Sequence, residues 1–187
     1  MHFSYPGNTN SRAQPRRLRA FTLTELLVVI GVVALLIALL MPLLSRARAS
    51  SQAVSCLSNL RQIMMAFQLY AGDNRQQLPD PASTGQSWES LLRSYLTARE
   101  VYHCKSDGGL YENLRSSYDW RDTSDADTTV AGKLLTAIRR PDAVFVFDAL
   151  PDWHARGKIN AALADGSARS MTYEDCLKDL DKSISAP

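Results

Sequence analysis

The sequence predicts an α+β fold: a long N-terminal helix whose first half is of membrane-spanning length, with a small antiparallel β-sheet head packed on its second half. Three observations carry this. Leu26 to Leu44 is apolar and without a charged residue, close to the roughly 20 residues a helix needs to cross a bilayer core. From Ala53 onward, Ala53, Leu57, Leu60, Met64 and Phe67 recur at helical spacing between polar residues, the mark of a helix with one buried stripe. Further on, Ala143-Val144-Phe145-Val146-Phe147-Asp148 reads as a strand, and Asp165-Gly166 separates two runs that read as a hairpin.

The elements follow in order. Residues 1–20 hold Arg12, Arg16, Arg17 and Arg19, no acidic residue, and Pro6, Gly7 and Pro15; they read as a disordered, removable leader. A basic tail before an apolar span holds that end in the cytoplasm and places the rest of the chain outside. Residues 21–44 form the membrane half of the helix, with Gly31 and Pro42 as its breakers. Proline removes a backbone bond and kinks a helix, so Pro42 predicts a bend or local unwinding. Residues 45–73 form the amphipathic half, stopped by Ala71-Gly72-Asp73-Asn74.

Residues 74–187 form the head. Asn74 to Gln86 is turn-rich, and Trp88 to Leu96 predicts a short helix turning Trp88, Leu91, Leu92 and Tyr95 inward. Val101-Tyr102-His103-Cys104 reads as a strand or its entry. Lys105 to Thr129 reads as loop anchored by Tyr118 and Trp120, and Glu174 to Leu180 as a short closing helix.

The length of 187 residues suits one modest domain plus an anchor. The net charge of +2 is smaller than the charge of the four leader arginines, so the chain beyond Ala20 is net negative. That leaves no basic footprint for nucleic acid. There is also no phosphate-binding glycine loop, no paired-histidine zinc motif and no signature turn carrying a nucleophile beside His154. The expectation is that the chain is not an enzyme.

One residue resists the plainest readings. Glu25 stands where the apolar helix begins, and an ionisable group at membrane depth is a functional hypothesis by default. A secretory signal peptide or simple anchor explains the basic and apolar blocks but not this carboxylate. The segment Ala20-Phe21-Thr22-Leu23-Thr24-Glu25, with its basic leader, apolar run and Pro42, resembles the class III signal of type IV pilins and type II secretion pseudopilins. The resemblance implies cleavage between Ala20 and Phe21 by a prepilin peptidase, then methylation of Phe21. Ala20 stands where the family usually has glycine. It also implies that Glu25 meets the positive amine of a neighbouring subunit's Phe21, an attraction that low dielectric strengthens. The implied partners are the peptidase, other pilin or pseudopilin subunits and the inner-membrane platform of a secretion or pilus machine. The implied place is the bacterial inner membrane, single-pass, with the head extracytoplasmic.

A second resemblance lies in the head. Cys56-Leu57-Ser58-Asn59-Leu60-Arg61-Gln62 is similar to the Cys-x-x-Asn-Leu-(Arg/Lys)-Gln segment of a pseudopilin-like group common in planctomycetes and their relatives. Members of that group often end in a histidine, a spacer and Asp-Gly. His154 precedes Asp165-Gly166 here with a spacer one residue longer, and Ser167 follows where the group often has histidine.

The three cysteines, Cys56, Cys104 and Cys176, match no zinc spacing. An extracytoplasmic head permits a disulfide; Cys56 with Cys104 is the preferred pair, and three unpaired thiols is the alternative. Asp148, Asp152, His154 and Asp165 fall around one hairpin. Asp148, His154 and Asp165 are the candidate ligands for a cation, with calcium, which some pseudopilin heads bind, suiting the oxygen donors. The preferred reading is plainer: Asp165 makes the turn, and Asp152 and His154 sit in an exposed loop.

The expected function is a pilin-like structural subunit, processed and assembled into a type II secretion pseudopilus or type IV pilus-like filament. The alternatives are a single-span anchored binding module that does not polymerise, and a secreted domain released near Ala49.

Overall fold

The computed structural model describes residues 22–154 and 156–185; Ala20 and Phe21, the expected processing site, lie outside them. Helix α1 (Leu23–Asp73) runs for 51 residues. It passes Pro42 without a break in helical structure, so the local unwinding expected there is not found.

The chain divides into two compact units, one ending at Leu43 and one beginning at Leu44. In the first unit the apolar side chains of α1 stand bare: Leu26, Val29, Ile30, Leu36 and Leu40 are all exposed. This helix is long and apolar enough to cross a membrane, and none of its most apolar window is buried. Exposed apolar surface on this scale marks an interaction with lipid or protein.

The second unit contains the remainder of α1 and the head. Short helices α2 (Pro81–Thr84), α3 (Trp88–Leu91) and α4 (Leu110–Leu114) precede the first strand. Four strands, β1 (Tyr118–Trp120), β2 (Val144–Asp148), β3 (Lys158–Leu163) and β4 (Ala168–Thr172), form one antiparallel sheet in sequential order. Helix α5 (Tyr173–Leu180) closes the head, capped by the Thr172 hydroxyl, which accepts the Asp175 N–H.

Helical spacing on α1 places Cys56, Leu60, Ile63, Met64, Phe67 and Ala71 on one buried face. Phe67 is its centre: it stacks on Trp88 and Trp120 at 5.6 and 5.2 Å and meets Phe145 edge-on at 5.1 Å. The opposite sheet face buries Val144, Ile159, Ala161 and Leu163 with Cys176 of α5. The sheet is thus covered on both faces. A register shift between Val144 and Val146 lets Phe145 and Val146 both join the α1-side core, which strict alternation forbids.

Several local expectations change. Arg99–Tyr102 is a 3-10 turn, not a strand, because its N–H groups bond within the segment, as Val101 N–H does to Ala98 O. Tyr118 and Trp120 are buried anchors as expected, but they sit in β1, paired with Asp148 and Val146. The helix predicted to Leu96 stops at Leu91, where Leu92 caps it. Helix α1 ends at Asp73, within the expected Ala71–Asn74 stop; Arg75 and Gln76 follow in the left-handed region, with the Gln76 N–H on Ala71 O.

Candidate functional site

At the start of α1, Thr22 and Glu25 form a reciprocal cap. The Glu25 N–H donates to Thr22 Oγ1 at 3.2 Å, while Thr22 N–H and Oγ1–H donate to Glu25 Oε2 at 2.9 and 2.8 Å. This is a capping box, which satisfies two N-terminal groups of a helix at once. It gives Glu25 a role inside its own chain that the sequence reading did not assign, although Thr-x-x-Glu is legible as such.

The head carries a second constellation. The ligand atoms of Cys56, Cys104 and His154 lie within 4.8 Å of one another. His154 Nε2 is 3.4 Å from Cys104 Sγ and 3.4 Å from Asp148 Oδ2. All four groups are withdrawn from solvent: both cysteines are fully buried, and the His154 and Asp148 side chains are 3% and 1% exposed.

Each is placed by its element. Cys56 lies on the buried face of α1. Asn59, one turn on, donates to His103 O and to the Tyr118 hydroxyl at 3.2 and 3.3 Å, tying α1 to the residue preceding Cys104. Arg61 reaches Ala168 O of β4, and Leu60 is buried. The segment from Cys56 to Arg61 therefore docks α1 onto the head. Cys104 is held by its N–H donating to Ser117 Oγ at 3.0 Å, and Ser117 in turn donates to Asp107 at 2.6 Å. Asp148 ends β2 and accepts the Asn160 N–H at 2.7 Å.

The Cys104 S–H bonded to Cys56 pulls the Cys56 thiol down to about 4, against burial and with help from His154. Cys104 is correspondingly raised by Cys56 and by burial. Burial disfavours charge on His154, but Asp148 and Cys56 outweigh it and lift the imidazole to about 9. Burial pushes Asp148 up, with His154 and the Asn160 N–H opposing. Asp148 Oδ1 and His154 Nδ1 are buried without a hydrogen-bond partner.

The expected cation set divides. Asp148 and His154 come together, but Asp165 does not join them. It sits in the β3–β4 turn, where it accepts the Ser167 N–H at 2.8 Å. Antiparallel register explains the separation: Val144 and Leu163 pair at the end of the sheet beside Asp165, whereas Asp148 lies at the other end of β2. Asp152 instead accepts the Gly157 N–H within its loop. His154, expected in an exposed loop, is buried beside the cysteines.

The preferred cysteine pair does come together, with Cys56 and Cys104 as free thiols; Cys176 is buried separately, on the sheet-facing side of α5. Sequence spacing could not reveal the cluster, because Cys104 and His154 are 50 residues apart and meet only through the fold.

Compared with known proteins, the chain matches no family model, no curated protein and no solved structure.

Proposed function

We propose that this chain is a pilin-like structural subunit, made as a membrane-inserted precursor, cut between Ala20 and Phe21 by a prepilin peptidase and assembled into a pseudopilus or pilus-like filament. The observation that supports it best is the change of character along α1. Its side chains are bare and apolar through Leu44, and from Cys56 the same helix is the central element of a head core. A bare apolar helix can satisfy itself in lipid as a monomer and among identical helices in a filament. Transfer from the first to the second gives Glu25 a reason to stand where it does, facing a Phe21 amine. The head faces outward and acts as structure.

The cysteine–histidine cluster does not argue for catalysis. His154 offers the same nitrogen, Nε2, to Cys104 and Asp148, whereas a nucleophilic relay uses one ring nitrogen for each partner. Four clefts on the head surface are lined by other residues.

The second reading is an anchored module that never polymerises, and the capping box favours it, since Glu25 then needs no partner beyond Thr22. Glu25→Gln separates the two. Glutamine serves a capping box as glutamate does but carries no charge for a neighbouring amine. The filament reading expects Glu25→Gln to insert normally and fail to enter filaments; normal incorporation would favour the anchor.

A further inference from the structure

We propose that Cys56, Cys104 and His154 form a structural site for a zinc-class divalent cation in the head, with Asp148 as the carboxylate beside it. Two sulfurs and one imidazole nitrogen are ligand types zinc takes in its four-coordinate structural sites, and the Asp148 carboxylate stands beside the imidazole, where a small shift would complete the four. Calcium, in contrast, takes six or more oxygens, and this cluster offers two sulfurs and a nitrogen.

The spacing agrees. Tetrahedral zinc with bonds of about 2.0–2.3 Å holds neighbouring ligand atoms about 3.3–3.8 Å apart. His154 Nε2 lies 3.4 Å from Cys104 Sγ and 3.4 Å from Asp148 Oδ2, and Cys56 Sγ lies within 4.8 Å of the Cys104 and His154 ligand atoms, a cluster that the Asp148 carboxylate borders without joining. One ring nitrogen carries at most one proton, so it cannot form two good hydrogen bonds in these two directions. A cation between the groups accounts for both contacts.

Burial makes the case sharper. Asp148 is 1% exposed, and its Oδ1 has no hydrogen-bond partner. Oδ2 is taken by His154 and the Asn160 N–H, so it is the second carboxylate oxygen that is buried without the partner its desolvation calls for. The bound cation would join α1, the segment before α4, the end of β2 and the β2–β3 loop. These are the pieces that hold the sheet end against the helix. The site would thereby do the work of a cross-link, independently of whether the N-terminus is processed or the chain polymerises.

The test uses the full-length chain in detergent. Metal content, non-reducing intact mass and cobalt(II) titration of metal-stripped protein are measured together. The expected result is one zinc per chain, lost in Cys104→Ser and His154→Ala and kept in Cys176→Ser, whose thiol lies elsewhere. Metal-stripped wild type is expected to take up cobalt with thiolate-to-metal charge-transfer absorption, a readout that does not depend on any variant folding. A mass lower by two hydrogens without metal would mean a Cys56–Cys104 disulfide and overturn the site. Free thiols that take up neither zinc nor cobalt would overturn it equally.

Discussion

Arg121 Nη1 lies 2.9 Å from Asp179 Oδ2, with the arginine side chain fully withdrawn from solvent. Arg121 follows β1, and Asp179 belongs to α5, so the pair fastens the first strand to the last helix. The same guanidinium donates to Thr128 O, Val144 O, Asp179 O and Leu180 O. Asp179 also accepts from Arg140 and from the Val144 N–H. Every arm of the group is therefore occupied, which is the condition under which a buried charge pair is tolerated.

Removing one partner leaves the other buried and uncompensated. Asp179→Asn is expected to destabilise the head by about 3–5 kcal/mol, read by denaturant unfolding of the detergent-solubilised chain. A loss below about 1 kcal/mol would place this pair with ordinary surface ion pairs.

Asp179 also sets an acid limit. Burial raises its pKa, but Arg140, the Val144 N–H and Arg121 outweigh this and hold it below the usual 3.8. As pH falls, the unfolded chain takes up the proton first. The contribution of Asp179 is thus present above about pH 4 and is lost as pH falls through the folded value. Wild type should lose stability below about pH 4 more steeply than Asp179→Asn does; parallel curves would remove Asp179 from the account.

The two halves of α1 should respond differently to truncation. Phe67→Ala removes the ring that Trp88, Trp120 and Phe145 pack on, and is expected to cost the head about 3–5 kcal/mol. Leu35→Ala, on the exposed apolar half, should leave head unfolding unchanged. Equal effects would contradict the separation of α1 into a bare segment and a core segment.

Asn59→Ala should cost about 1 kcal/mol through the lost bonds to His103 O and the Tyr118 hydroxyl. Arg61→Ala, whose partner is the β4 carbonyl of Ala168 on the exposed side, should cost less. Hydrogen exchange at the α1–sheet contact reads both.

What was legible in the sequence was what periodicity encodes. The apolar stripe around Leu60, Met64 and Phe67, the β2 strand and the Asp165-Gly166 turn are all local patterns, and all stand where expected. The buried Arg121 was not legible, because an arginine in an Asp-rich stretch resembles solvated loop until α5 folds over it. Strand β1 was missed for a related reason: three residues with a polar centre, Tyr118-Asp119-Trp120, carry too short an alternation. The candidate cation set divides, with Asp165 in the turn its preferred reading gave it, because nearness in sequence to a hairpin does not say which end of the sheet a residue reaches. Asp148 and Asp165 flank β3 in the chain yet lie at opposite ends of the sheet. Cys56, Cys104 and His154 were seen one by one, but only the packing of α1 against the head brings them together.

The central claim concerns the N-terminus, and the most direct measurement is the intact mass and N-terminal sequence of the chain recovered from inner membranes that contain an active prepilin peptidase. The account expects a chain beginning at methylated Phe21 with the apolar helix retained. A chain still beginning at Met1 would contradict it and leave a plain membrane anchor, and one beginning near Ser50 would mean a secreted domain in which Glu25 has no part.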